Sequence, residues 1–205
     1  MQPILLTIGH STHTLEHFLG LLKRHRITAI CDVRSVPYSQ FNPQFNRETL
    51  QKSLSNEGIA YVFLGRELGA RSDNSGCYIN GKVQYNYLAD EPIFLEGLKR
   101  LRNGIARYRV ALMCAEKDPL TCHRTILVCR EMRSSALEIE HILADGTIET
   151  NGAAERRLMS MTGLTPDMLC TEQECIERAY DKQASSIAYM LSSEDLEPNQ
   201  VKSPP

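Results

Sequence analysis

No apolar run in this chain approaches the roughly 20 consecutive residues that a membrane-spanning helix requires, so none is expected. The opening Met1-Gln2-Pro3-Ile4-Leu5-Leu6 is too short for a signal peptide and reads directly into a strand. An excess of one charge is also lacking. Lys and Arg number 23 against 25 Asp and Glu, a net charge of −2, which gives no global attraction to nucleic acid or an anionic membrane. A local basic groove stays open. The seven cysteines are odd in number and follow no framework spacing, which fits free thiols in a reducing cytoplasm better than a disulfide scaffold. No internal repeat is visible.

What is present suffices for one sizeable core with an appendage: 205 residues, 42% of them hydrophobic. Apolar runs alternate with segments of helical period. Strands are expected at residues 4–8, 27–33, 59–64, 110–114 and 137–143, the last returning as a hairpin through Asp145-Gly146. Thr14 can cap a helix carrying Leu15, Phe18, Leu19 and Leu22. Asn46 can cap another, with Phe45 and Leu50 as a hydrophobic staple and Gly58 as its stop. Glu91-Pro92 opens a third, carrying Phe94, Leu98 and Leu101. This alternation predicts a three-layer α/β/α domain over residues 1–150, with a mostly parallel sheet of about five strands. A helical appendage is expected over 151–191. Asn151 caps its first helix, Thr171-Glu172-Gln173-Glu174 forms a capping box, and Ile176, Ala179, Tyr180 and Ile187 make an apolar stripe. Residues 192–205 are polar, end in Pro-Pro, and are expected to be a disordered tail.

Ligands of open parallel sheets bind beyond the carboxyl ends of the strands. Those ends carry Gly9-His10-Ser11, Asp32-Val33-Arg34, Gly65-Arg66-Glu67, Cys114 with Glu116, and His141. The densest chemistry follows the fourth strand. Asp118 suits an N-cap and Pro119 a first helical position, so Cys122, His123 and Arg124 fall in or just after a first helical turn. Free N–H groups there favour an anion or a thiolate. Two long loops leave the same edge. One carries Tyr38, Phe41 and Phe45; the other carries Arg66, Arg71, Asp73 and an Asn80-Gly81 turn.

Three readings compete. The first is an enzyme of hydrolase or transferase type acting on a phosphate-bearing, nucleotide or nucleic-acid-like substrate. Cys122 or Cys114 would be the nucleophile, His123 or His10 the proton carrier, and Asp32 or Glu116 an orienting group or base. Arg34, Arg124, Ser11, Tyr38, Arg66 and Arg71 would bind the substrate. The second is a zinc site of Cys114, Cys122, His123 and His10, against which adjacent helical residues diverge by about 100°. The third is a non-catalytic redox sensor or interaction protein, with a Cys114–Cys122 disulfide as its signature. Plainer roles exist too. Cys114 can end a buried strand, Asp32 and Arg34 can form a structural ion pair, and His10 can bond its own turn. Arg124 can be a solvated helix charge, Cys31 and Cys129 are assigned to the core, and His13 and His17 share only an i, i+4 spacing. Cys77, Cys170 and Cys175 lack supporting context.

Four motifs occur in order: Thr7-Ile8-Gly9-His10-Ser11, Asp32-Val33-Arg34-Ser35-Val36-Pro37-Tyr38-Ser39, Asn42-Pro43-Gln44-Phe45, and Met113-Cys114-Ala115-Glu116-Lys117-Asp118-Pro119 with Cys122-His123-Arg124. Together they resemble the bacterial family called domain of unknown function 488, over about residues 4 to 150. The resemblance implies a fold and a site but no established reaction. A looser similarity links the Asp-Val-Arg after the second strand, and a Cys ending a later strand, to rhodanese-like domains. There an Arg closes a short anion-cradling loop after the Cys. Here Arg124 lies ten positions beyond Cys114, so a sulfurtransferase or phosphatase-like mechanism is an analogy only.

Overall fold

The strands read as nearly unbroken apolar runs because they are covered on both faces. In a computed structural model, which describes residues 2–191, the chain runs β1 (Ile4–Gly9), α1 (Leu15–Arg24), β2 (Ala29–Asp32), α2 (Arg47–Asn56), β3 (Ala60–Phe63) and α3 (Gly65–Leu68). It continues through β4 (Tyr78–Ile79), β5 (Lys82–Val83), α4 (Tyr85–Ala89), α5 (Pro92–Ile105) and β6 (Val110–Cys114). A π-helical stretch (Arg124–Cys129) passes into α6 (Arg130–Met132), followed by β7 (Glu138–Ile142), β8 (Ile148–Thr150), α7 (Asn151–Thr162) and α8 (Glu172–Ile187). The expected tail lies outside the described residues.

The main sheet has the order β3-β2-β6-β1-β7-β8 and is parallel except for the β7–β8 hairpin. Alternate side chains feed two cores. Leu6, Ile8, Ile30, Ala111 and Met113 meet Phe18, Leu22, Leu50 and Leu54 of α1 and α2 on one face. Leu5, Cys31, Val110, Leu112 and Cys114 face Phe94, Leu98, Ile126 and Tyr180 on the other. α7 and α8 join this second core through Leu158, Ile176 and Ala179, so the stretch 151–191 shares a core with the sheet. No helix of the described residues is long and apolar enough to cross a membrane.

The caps were partly legible. Thr14 and Thr171 cap as expected, the latter in a complete capping box with Glu174. Asn46 precedes α2, but its side chain accepts from Ser39 N at 2.7 Å rather than from its own helix. Thr150, not Asn151, caps α7, its hydroxyl accepting from Ala153 N. Asn151 is left free to bond His141 and Glu155.

The largest difference lies after β6. Asp118 does cap, accepting from Leu120 N at 2.9 Å, but only a single 3₁₀ turn, Pro119–Thr121, follows. Cys122 then returns to extended backbone (φ −134°, ψ 139°), and the true helix begins beyond His123. Just ahead of that helix, Cys122 Sγ receives the Arg124 N–H at 3.4 Å.

A close backbone approach fixes this loop. A methyl group on Gly9 would sit 1.9 Å from the Glu116 carbonyl oxygen. Gly9→Ala should therefore displace the Glu116 turn and cost about 1–3 kcal/mol, the usual penalty of overpacking. Urea unfolding checks this; a change within about 0.5 kcal/mol would mean that the loop gives way freely.

Candidate functional site

The sheet order sets β6 between β1 and β2, so their carboxyl ends are neighbours. Gly9 pairs with Cys114, and His10 N bonds Cys114 O at 2.9 Å. On the other side Asp32 pairs with Met113, and Val33 N bonds Met113 O at 3.1 Å. Cys114 is thereby fixed at the middle of the edge.

Around it the turn after β6 gathers a cluster. The Cys114, Cys122 and His123 ligand atoms lie within 4.8 Å of one another, and all three residues are buried. His123 Nδ1 stands 3.7 Å from Cys114 Sγ and 4.0 Å from Cys122 Sγ. Its Nε2 is 2.9 Å from the Val33 carbonyl oxygen, which can only accept, so Nε2 carries the proton and Nδ1 is turned to the sulfurs. The objection that adjacent helical side chains diverge does not apply, because Cys122 is extended and precedes the helix.

Glu116 Oε2 lies 2.9 Å from Cys122 Sγ. Behind them Arg124 is completely buried, its Nη1 donating to Glu116 O at 2.8 Å and its Nη2 to Lys117 O at 3.4 Å. Burial opposes charge on Cys122, but the Cys114 thiol, Arg124 and His123 outweigh it and hold Cys122 well below the usual thiol range. Burial and the Cys122 charge push the neighbouring Cys114 and Glu116 upward. Arg124 thereby favours the charged form of the Cys122 thiol.

A second layer holds Arg34. Its Nε and Nη2 donate to both Asp32 oxygens, at 2.9 and 2.6 Å, and Nη2 also reaches Phe45 O at 2.9 Å. Its Nη1 donates to His10 Nε2 at 3.2 Å. His10 stacks on Phe45 with ring centroids 4.3 Å apart and bonds Ser11 O through Nδ1. Tyr61 completes the group by donating to Asp32 at 2.7 Å.

A cleft of about 270 Å³ opens above the cluster, lined in part by Arg34, Arg71, Tyr85, Cys114, Glu116 and His123. It shares Ser35, Val36 and Arg71 with a neighbouring cavity of about 630 Å³ that reaches Arg66. Cys122 is not in the lining; it meets the cluster from below.

Several expectations are corrected here. His10 cannot join a metal site, because its Nε2 faces an arginine donor and its Nδ1 a carbonyl. Arg124 does not reach the cleft, since its guanidinium binds backbone carbonyls inside the protein. Tyr38 points away and donates to Glu48 of α2 at 2.7 Å. Ser11 is not among the residues lining the cleft; its backbone carbonyl bonds His10 Nδ1 at 2.9 Å. His141 is fully buried between Thr7 and Asn151. Sequence reading missed Tyr61, Tyr85 and Tyr189, which no motif marks, and the role of the Val33 carbonyl, although Val33 sits inside the Asp32–Ser39 motif.

Burial also makes His10 and His141 pH-sensitive. Burial, with Arg34 for His10 and Arg124 for His141, lowers both to about 4. The unfolded chain then binds protons that the folded chain refuses between about pH 6.5 and pH 4. The contribution of these two histidines should be full above pH 6.5 and fall as pH drops through this window, by roughly 3 kcal/mol for each. Urea unfolding at several pH values reads this directly. His141→Asn should flatten the slope, and a flat wild-type profile would contradict it.

No curated protein matches the chain, and no solved structure does. The family described as domain of unknown function DUF488 matches residues 14–130, more than half of the chain, including both the Asp32–Arg34 and the Cys114–Arg124 segments. The chain belongs to the DUF488 family.

Proposed function

We propose that Cys114, Cys122 and His123 hold a zinc ion, and that the cleft above it is the active site of a zinc-dependent enzyme for an anionic substrate. The observation that carries this reading is the triangle of ligand atoms, with His123 Nδ1 turned to both sulfurs by the Val33 carbonyl. Tetrahedral bonds of about 2.3 Å to sulfur and 2.0–2.1 Å to nitrogen put sulfur and nitrogen about 3.6 Å apart, close to the spacing present. A backbone carbonyl on the far imidazole nitrogen is the usual outer support of a zinc-bound histidine. Charge balances as well: two thiolates neutralise the ion, and Glu116 as a carboxylate neutralises Arg124.

Three protein ligands would leave a fourth position open, as in catalytic rather than structural zinc sites, and two of the three, Cys114 and His123, line the cleft. When bound, the ion would supply Lewis acidity to an oxygen of the substrate. Glu116, raised by burial and by Cys122, is placed to take and return a proton. Asp32 and His10 hold Arg34 in one pose, and Arg34 with Arg71 faces the anionic part of the substrate. A simple cysteine nucleophile fits less well, because the thiol held low, Cys122, is outside the cleft, while the cleft-lining Cys114 is pushed up.

Metal analysis of protein purified without added zinc tests the centre. Stoichiometric zinc is expected, and exchange for cobalt should give the spectrum of a tetrahedral site with thiolate ligands. Substoichiometric metal that zinc titration does not restore would defeat it. On phosphate esters and nucleotides, turnover should require zinc and fall about 10²–10⁴-fold in Glu116→Gln without metal loss.

A further inference from the structure

Away from the cleft, the start of α8 contains a second thiol pair. Thr171 is its N-cap, so Cys170 occupies the position before the cap and Cys175 the fourth helical position. Apolar side chains in those two places normally meet as a hydrophobic staple. Here two cysteines meet, with their Sγ atoms 2.8 Å apart and no bond between them.

The backbone on both sides is pinned. Thr171 N bonds Glu174 Oε2 at 2.8 Å, and Glu174 N bonds Thr171 Oγ1 at 3.3 Å. Asp167 Oδ1 accepts from Leu169 N at 2.7 Å and from Cys170 N at 2.9 Å. Asp167 N in turn bonds Cys170 O at 3.0 Å. Reaching a disulfide length of about 2.05 Å needs only roughly 0.8 Å of closure. Cys175 is sealed at 1% exposure, whereas Cys170, at 7%, follows the fully exposed Met168 and Leu169.

We propose that Cys170 and Cys175 are an oxidation site whose product is an intrachain disulfide clamping the first turn of α8. Hydrogen peroxide oxidises the Cys170 thiol to a sulfenic acid and leaves as water. The Cys175 sulfur then attacks Cys170 Sγ and loses its proton, and the sulfenic hydroxyl departs as a second water. The clamp acts on a helix tied to the site. Gln183 of α8 donates to Leu120 O at 2.7 Å, beside the Cys122 turn. Glu177 binds both Arg130 and Arg133, and Ile187 lines the cleft.

Reduced protein is treated with peroxide, free thiols are blocked with iodoacetamide, and the tryptic peptide 158–178, which holds both cysteines, is weighed. The expected peptide lacks both alkyl groups, is lighter by two hydrogens, and regains two alkylated thiols after dithiothreitol. In Cys175→Ala, a dimedone-trapped sulfenic acid should appear on Cys170 instead. Exchange of the first α8 amides should slow in the oxidised wild type. Exposed Met168 in the same peptide gauges the oxidant: sulfoxide at Met168 with both cysteines still alkylated overturns the proposal, as does a disulfide joining either cysteine to another residue.

Discussion

Arg124→Leu should lower the unfolding free energy by about 3–5 kcal/mol, the cost of removing one partner from a buried charge set. The guanidinium is wholly buried, and Cys122, Cys114 and Glu116 around it favour its charged form against burial. Leucine fills much of the space but gives nothing to the Glu116 and Lys117 carbonyls. Each buried acceptor left unpaired costs about 1–3 kcal/mol by itself. Arg124→Lys keeps the charge but loses the two-pronged reach, and should fall between leucine and wild type. Urea unfolding at neutral pH measures all three. A leucine variant within about 1 kcal/mol of wild type would mean that the cluster neutralises itself by protonation and that Arg124 is packing alone.

Arg124 also marks where sequence reading stops. It precedes Thr125-Ile126-Leu127-Val128-Cys129, an unbroken buried run, which already argues against both the substrate-binding role expected of it and its plainer alternative, a solvated helix charge. The strands were legible because burial on both faces leaves apolar runs, and the strand-end rule then gathered Cys114, Asp32, Arg34 and His10 correctly. The turn from Asp118 to His123 was not. A good cap followed by proline signals a helix start but not its length, and nothing local announces that the chain re-extends at Cys122. That re-extension brings Sγ of Cys122 beside Nδ1 of His123, and it turns an apparent obstacle to shared ligation into its geometric basis. Tyr38 failed for a different reason: its loop folds back on α2, where Glu48 takes the hydroxyl.

If the triangle holds zinc, removing zinc should lower stability by a predictable amount. A ligand that binds only the folded state adds RT ln(1 + [L]/Kd), about 4 kcal/mol when free zinc stands a thousandfold above its Kd. Wild-type protein in buffered zinc should exceed the same protein in chelator by that margin. His123→Ala should abolish the margin, because it removes the only nitrogen ligand. Cys31→Ala is the control. Cys31 is equally buried but lies in the core outside the triangle, so it should lower both values and leave the difference intact. A difference that survives His123→Ala would place the metal elsewhere. No difference in wild type, at any zinc concentration below that at which the unfolded thiols bind, would leave Cys114 and Cys122 as thiols without a metal. Folding and ligation are then separable, because a packing defect shifts both curves while a lost ligand closes the gap between them.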